Sequence, residues 1–279
     1  MTSNSPVPRA TDNWCQKPTT KNSSIMKRNP NWTEDELKMA INVYCKIPFI
    51  KARKSSPEII KWAKIIGRSP GGLYTKICNL GHFDSGVEAK GLSHAGKLDP
   101  IIWAEFEQNP EKVIYESEQL LAQRMGQTLE EYTEISTEDL PEGKTREVVV
   151  RQRVNQRFFH DTVLSAYDNH CCITGISNSP LLEACHISGW ANDTRNRTNP
   201  KNGLCMTPTF HRAYDKHLIA ITPDYEIIIS EQMIDGAKDE QTRHYLVGLQ
   251  HKKMLMPEKF APDIDLLARH YESYLKSAV

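Results

Sequence analysis

Three side chains that can move a proton or hold a cation, His186, Asn202 and His211, fall in one short stretch between apolar runs. Cys172–Gly175 and Leu181–Ile187 read as short strands, and Ser188–Lys201 as a polar loop. Thr207 is a good N-cap, and Pro208 suits the first turn of a helix running through His211 and Asp215. The expected order is strand, strand with His186, loop with Asn202, and helix with His211. His211 and Asp215 are four residues apart, so both point from one helix face toward one cation. An imidazole base beside a bound cation is the equipment for hydrolysing a phosphodiester.

The rest of the chain bounds what surrounds this unit. At 279 residues it has the length for one large domain or two medium ones. No apolar run approaches the length of a transmembrane helix, and the first residues lack a secretory h-region. Seven cysteines without a repeating spacing point to reduced thiols and a cytoplasmic location. No membrane partner is expected. Cys-x-x-Cys knuckles are absent, which argues against a structural zinc. A net charge of zero hides an asymmetry: Lys27–His82 carries eleven Lys/Arg against four Asp/Glu, whereas Ile101–Glu147 carries four against twelve. The basic block suits a nucleic-acid face, though it also suits a solvated helical surface.

Residues 1–30 are polar and read as a flexible tail, with Met26 as an alternative start. Residues 31–135 read as a helical domain. Its first helix opens at Thr33 with Glu36 three residues later, its second at Ser56-Pro57, and its third at Ser69-Pro70 after Gly67. The last two form a helix-turn-helix-like pair, and with Trp32 and Trp62 they loosely resemble a Myb or SANT domain. Arg68 and Lys76 are the candidate DNA contacts there. Residues 136–146 read as a linker rich in acids with Pro141 and Gly143. Residues 147–279 form the second domain. A hairpin is expected around Thr222–Tyr225, and an amphipathic helix over Asp263–Leu275.

Cys-Ile-Thr-Gly, Leu-Leu-Glu-Ala-x-His-Ile and Asn-Gly-Leu, ending near Asp215, resemble the HNH endonuclease family with its ββα-metal fold. The fold class this implies is α+β, a helical N-terminal domain followed by a ββα-metal nuclease domain. By that resemblance His186 is the general base, Asn202 braces the loop and orients it, and His211 with Asp215 holds a divalent metal. Mg or Mn is expected first, with Ni or Zn as alternatives. Family members often place a ligand just before the base, where this chain has Cys185. A Cys185 thiolate, a Glu183 oxygen or water could fill that place. Arg195, Arg197, Lys201 and Arg212 are candidate phosphate contacts. Trp190 reads as a cap on the hairpin rather than a wedge. The implied function is a metal-dependent endonuclease of the restriction or antiphage type, acting on double-stranded DNA, with a homodimer as the expected partner arrangement. The competing reading is a DNA-binding regulator whose HNH fold is degenerate.

Overall fold

The computed structural model describes residues 30–48, 52–87, 95–135 and 145–277. The expected tail, apart from Pro30, and the expected linker up to residue 144 lie outside the described residues, as does Met26. Three helices form where the local signals of the sequence place them. Helix α1 (Glu34–Lys46) starts in a capping box, in which the Glu36 N–H donates to Thr33 Oγ1 at 3.3 Å and the Thr33 N–H donates to Glu36 Oε2 at 2.9 Å. Helix α2 (Pro57–Ile66) ends at Gly67 in the left-handed region, φ 84°, and α3 (Pro70–Gly81) is capped by Ser69. Helices α4 (Asp99–Gln108), α5 (Pro110–Met125) and α6 (Leu129–Thr133) complete the helical part, and the long α7 (Arg146–Ala166) follows.

Beyond α7 come strand β1 (Glu183–His186), strand β2 (Gly203–Met206) and helix α8 (Pro208–Asp215), then β3 (Ile219–Ile221) and β4 (Ile227–Ile229). Helices α9 (Glu231–Gly236), α10 (Glu240–Val247) and α11 (Ile264–Ser277) close the chain. Strands β1 and β2 pair antiparallel with His186 opposite Gly203, and β3 pairs antiparallel with β4. The architecture is α+β, with helices preceding two small two-stranded sheets.

One expectation about the strands is corrected here. Residues 172–174 form a turn, not a strand; the Gly175 N–H closes it on the Cys171 carbonyl at 2.9 Å. The partner of β1 is β2, which begins directly after Asn202. Asn202 and His211 are therefore separated by a whole strand and the first turn of α8. The turn still docks on the sheet, since the Cys172 N–H donates to the Cys205 carbonyl at 2.7 Å.

Residues 32–279 form one compact unit, and its core runs without a break from Leu37 in α1 to Leu267 in α11. Tyr44, Trp103 and Phe260, drawn from distant parts of the chain, meet at ring separations of 5.6–6.4 Å. Burying each such ring contributes roughly 2–3 kcal/mol. Lys259 makes the most unusual tie. It is fully buried, and its ammonium donates to the Tyr44, Cys45 and Ile47 carbonyls at 2.5–2.8 Å. A cation is thus placed at the negative end of α1, where carbonyls lack helical partners. Burial pulls its pKa down to about 8.

The charge asymmetry of the sequence is largely resolved inside the fold. Lys38 of α1 pairs with Glu116 of α5, and Lys46 with Glu118. Lys76 is 5 % exposed and donates to both Asp99 carboxylate oxygens at 2.7 Å. Arg68 pairs with Glu36, and its guanidinium lies over the Trp32 ring at 4.8 Å. Withdrawing either partner of such a desolvated pair costs several kcal/mol. Arg68 and Lys76, the candidate DNA contacts, are thus each engaged by a carboxylate from another helix. Along α3 Thr75 is exposed, and the other residues are buried or half-buried.

Candidate active site

His186 ends β1 and is held from three directions. Its Nε2–H donates to the Arg197 carbonyl at 3.0 Å, which assigns the neutral tautomer with the lone pair on Nδ1. The ring stacks on Phe159 of α7 at 3.8 Å and 8°, and Trp190 meets it edge-on at 5.6 Å. Burial lowers its pKa from the ordinary value, so the ring is a free base at neutral pH. The stack requires α7 to lie close against β2, and Gly203 permits this. A Cβ there would meet Val163 Cγ2 at 2.3 Å and Phe159 Cζ at 3.1 Å. The Asn-Gly pair thus serves two purposes, one side chain to bind and one omitted to let a helix in.

Asn202 is fully buried. Its Oδ1 accepts from the Ser188 N–H at 2.8 Å, while Nδ2 donates to the Ser188 carbonyl at 3.1 Å and the Asn196 carbonyl at 3.0 Å. One amide therefore fastens both ends of the loop between β1 and β2. The carbonyl that holds His186 belongs to Arg197, next to Asn196, so Asn202 reaches His186 through the loop.

Helix α8 presents His211 and Asp215. His211 Nδ1 lies 2.6 Å from Glu183 Oε2, and its Nε2 lies 3.7 Å from Asp215 Oδ2. A carboxylate on Nδ1 fixes the ring and leaves Nε2 for a cation, a common outer-shell arrangement at metal sites. Ligand atoms of Cys185, His211 and Asp215 all lie within 4.8 Å of one another. A nitrogen, a carboxylate oxygen and a sulfur so gathered suit a divalent cation, so the residues fit the metal that the sequence implied. Glu183 and Cys185 lie on the face of β1 that meets α8, while His186, the last residue of β1, stacks on α7 and lines one cleft with Asp215. Cys185 is fully buried, and burial together with the Asp215 and Glu183 carboxylates pushes its thiol pKa well up.

The expected phosphate contacts divide. Arg195 and Arg212 are exposed. Arg197 is half-buried, donates from Nε to the Trp190 carbonyl at 2.8 Å and stacks over the Trp190 ring, so its first task is loop structure. Lys201 pairs with Glu107 at 3.1 Å. The pairing of Glu183 with His211, and Phe159 beneath His186, escaped the sequence reading; an acid two residues before a buried strand residue was the only available signal.

Residues 171–222 match the HNH_2 family, described as HNH endonuclease. The chain carries an HNH nuclease domain. No curated protein matches the chain. The HNH domain makes a nucleic acid the substrate and hydrolysis of its backbone the reaction class. His186, Asn202, His211 and Asp215 all lie within the matched segment, and no helix among the described residues is long and apolar enough to cross a membrane.

The domain rests on α11 through His270, whose ring stacks on Tyr214 at 3.6 Å and donates from Nε2 to the Tyr214 carbonyl. Burial lowers the His270 pKa from 6.5 to about 4. The unfolded chain binds a proton near pH 6.5 that the folded chain refuses until about pH 4, so stability is lost as pH falls through that window. The loss should reach about 2–3 kcal/mol. Urea unfolding at pH 7 and pH 4.5 checks this; His270→Phe should flatten the difference, and an unchanged difference would refute the assignment.

Proposed function

We propose that the chain is a metal-dependent DNA endonuclease in which His186 is the general base. The observation that carries this is the fixed tautomer of His186, whose Nδ1 lone pair belongs to a ring lining the same cleft as Asp215. His186 Nδ1 takes a proton from a water, and the resulting hydroxide attacks phosphorus in line. The bond to the 3′ oxygen breaks, leaving a 5′-phosphate and a 3′-hydroxyl once the departing oxygen gains a proton from solvent. A divalent cation held by His211 Nε2 and Asp215, with Cys185 behind them, would neutralise charge on the phosphoryl and leaving oxygens. Glu183 keeps His211 oriented, and Asn202 keeps the loop that holds His186. The resemblance of the His186–Asp215 segment to HNH endonucleases makes restriction or antiphage defence the proposed setting.

Incubation of the full chain with supercoiled plasmid, in Mg, in Mn or in chelator, tests the reading, with single-stranded RNA as a parallel substrate. Cleavage should require metal, stop in chelator, and fall sharply in His211→Ala. One such site cuts one strand, so nicked circles should precede linear DNA; a homodimer would supply the second cut. Cleavage undiminished by chelator would overturn the metal. Preference for RNA would overturn DNA as substrate. DNA binding without any cleavage would favour the regulator reading, which Cys185 in a usual ligand position supports.

A further inference from the structure

The cleft that contains His186 and Asp215 has a second wall outside the matched HNH segment. Helix α11 supplies it, with Arg269, His270 and Ser273, and His217 forms part of the floor. The cleft has a volume of about 280 Å³, room for a phosphodiester group with several waters. Three observations bear on what it holds. Arg269 is exposed and forms no salt bridge among the described residues; its nearest partner is the Asp265 carbonyl, 3.4 Å from Nε. The nearby Asp193 carboxylate accepts from Asn196 Nδ2 at 2.7 Å and also feels the Arg269 charge, without a salt bridge between the two. His217 closes helix α8 in the left-handed region, φ 53°, with the Leu218 N–H donating to the Ala213 carbonyl at 2.9 Å, and this turn aims its ring at the cleft floor.

The third observation concerns ring nitrogens. His217 Nδ1 and His270 Nδ1 are both shielded from solvent without a hydrogen-bond partner, and His270 is 9 % exposed. Buried polar atoms of this kind are rare unless a ligand or water completes them. The two rings lie 4.9 Å apart. Neutral His270 donates through Nε2 to Tyr214, so its Nδ1 is an acceptor. The donors available to an anion are therefore the Arg269 guanidinium and the His217 ring.

We infer that Arg269, with His217, binds a backbone phosphate of the nucleic-acid strand next to the one that is cut. This rests on the proposed nuclease reading for the position of the scissile phosphate. Helix α11 is then a substrate-binding element that the chain adds to its HNH domain, and the strand lies between α11 and the loop braced by Asn202. Arg269 suits the task because a planar guanidinium offers a fork of donors to phosphate oxygens.

The test uses the full chain carrying His186→Ala, so that duplex DNA survives, and measures binding by anisotropy across a salt series. Arg269→Gln should weaken binding about tenfold and flatten the dependence of log K on log salt by about one unit, as expected for one lost phosphate contact. Arg269→Lys should restore most of that slope. His217→Gly should weaken binding while leaving the melting temperature unchanged or higher, a pairing that a merely structural histidine would not give. Arg243→Gln, on a distant exposed surface, is the control. With His186 intact, Arg269→Gln should raise KM and leave kcat within about twofold. Affinity and salt slope equal to those of the Arg243→Gln control would overturn the inference. If the chain cuts no nucleic acid, the nuclease reading fails, while the Arg269 comparison still reads binding on its own.

Discussion

Replacing His186 by alanine should lower the cleavage rate by about 10²- to 10⁴-fold, the usual contribution of a positioned general base. The effect belongs mainly to kcat, because the imidazole handles a proton during reaction and holds no phosphate. The loss of the Phe159 stack should cost about 1 kcal/mol, too little to unfold the chain. Single-turnover cleavage of a plasmid, read beside thermal melts of both proteins, separates the two consequences. A variant that retains wild-type turnover would remove His186 from the mechanism, and one that fails to fold would call for His186→Gln, which keeps a planar group on the Phe159 ring.

Asn202→Ala should cost about 2–4 kcal/mol of stability and lower cleavage at least tenfold. Three hydrogen bonds disappear, leaving the Ser188 N–H and the Ser188 and Asn196 carbonyls buried without a partner. The Arg197 carbonyl, next to one of those carbonyls, then no longer fixes the His186 tautomer. Asn202→Asp should be worse despite its matching shape. Its second oxygen would face two carbonyl oxygens, and its charge would sit at a fully buried position. Urea unfolding of the three proteins orders them, and stability of Asn202→Ala within about 0.5 kcal/mol of wild type would remove Asn202 as a brace.

The helix starts were legible because their causes are local. Thr33 with Glu36 and Ser69 with Pro70 satisfy N–H groups within one turn, and Pro208 presets the first turn of α8 without a side-chain cap from Thr207, so four or five residues carry each start. The spacing of His211 and Asp215 worked for the same reason, since helical geometry alone puts them on one face. Strand β2 was missed because Gly203–Met206 is buried throughout and shows no alternation. Only its pairing with β1 makes it a strand. The turn at 172–174 was misread as a strand for the converse reason, being an apolar run whose hydrogen bonds go to the edge of β2.

The sequence alone determined the chemistry that could occur here, because His186, Asn202, His211 and Asp215 sit in one short segment and side-chain type limits what each can do. Tertiary structure decided which groups are available to do it. Lys76 and Arg68 read as candidate nucleic-acid contacts, and the fold brings Asp99 and Glu36 to them from elsewhere in the chain. Glu183 becomes the partner of His211 only when β1 meets α8. Arg269 joins the cleft only because α11 folds back over the HNH domain. Charge and hydrogen-bonding capacity are properties of a residue, whereas desolvation and partnership depend on distances that the chain sets only once it has folded.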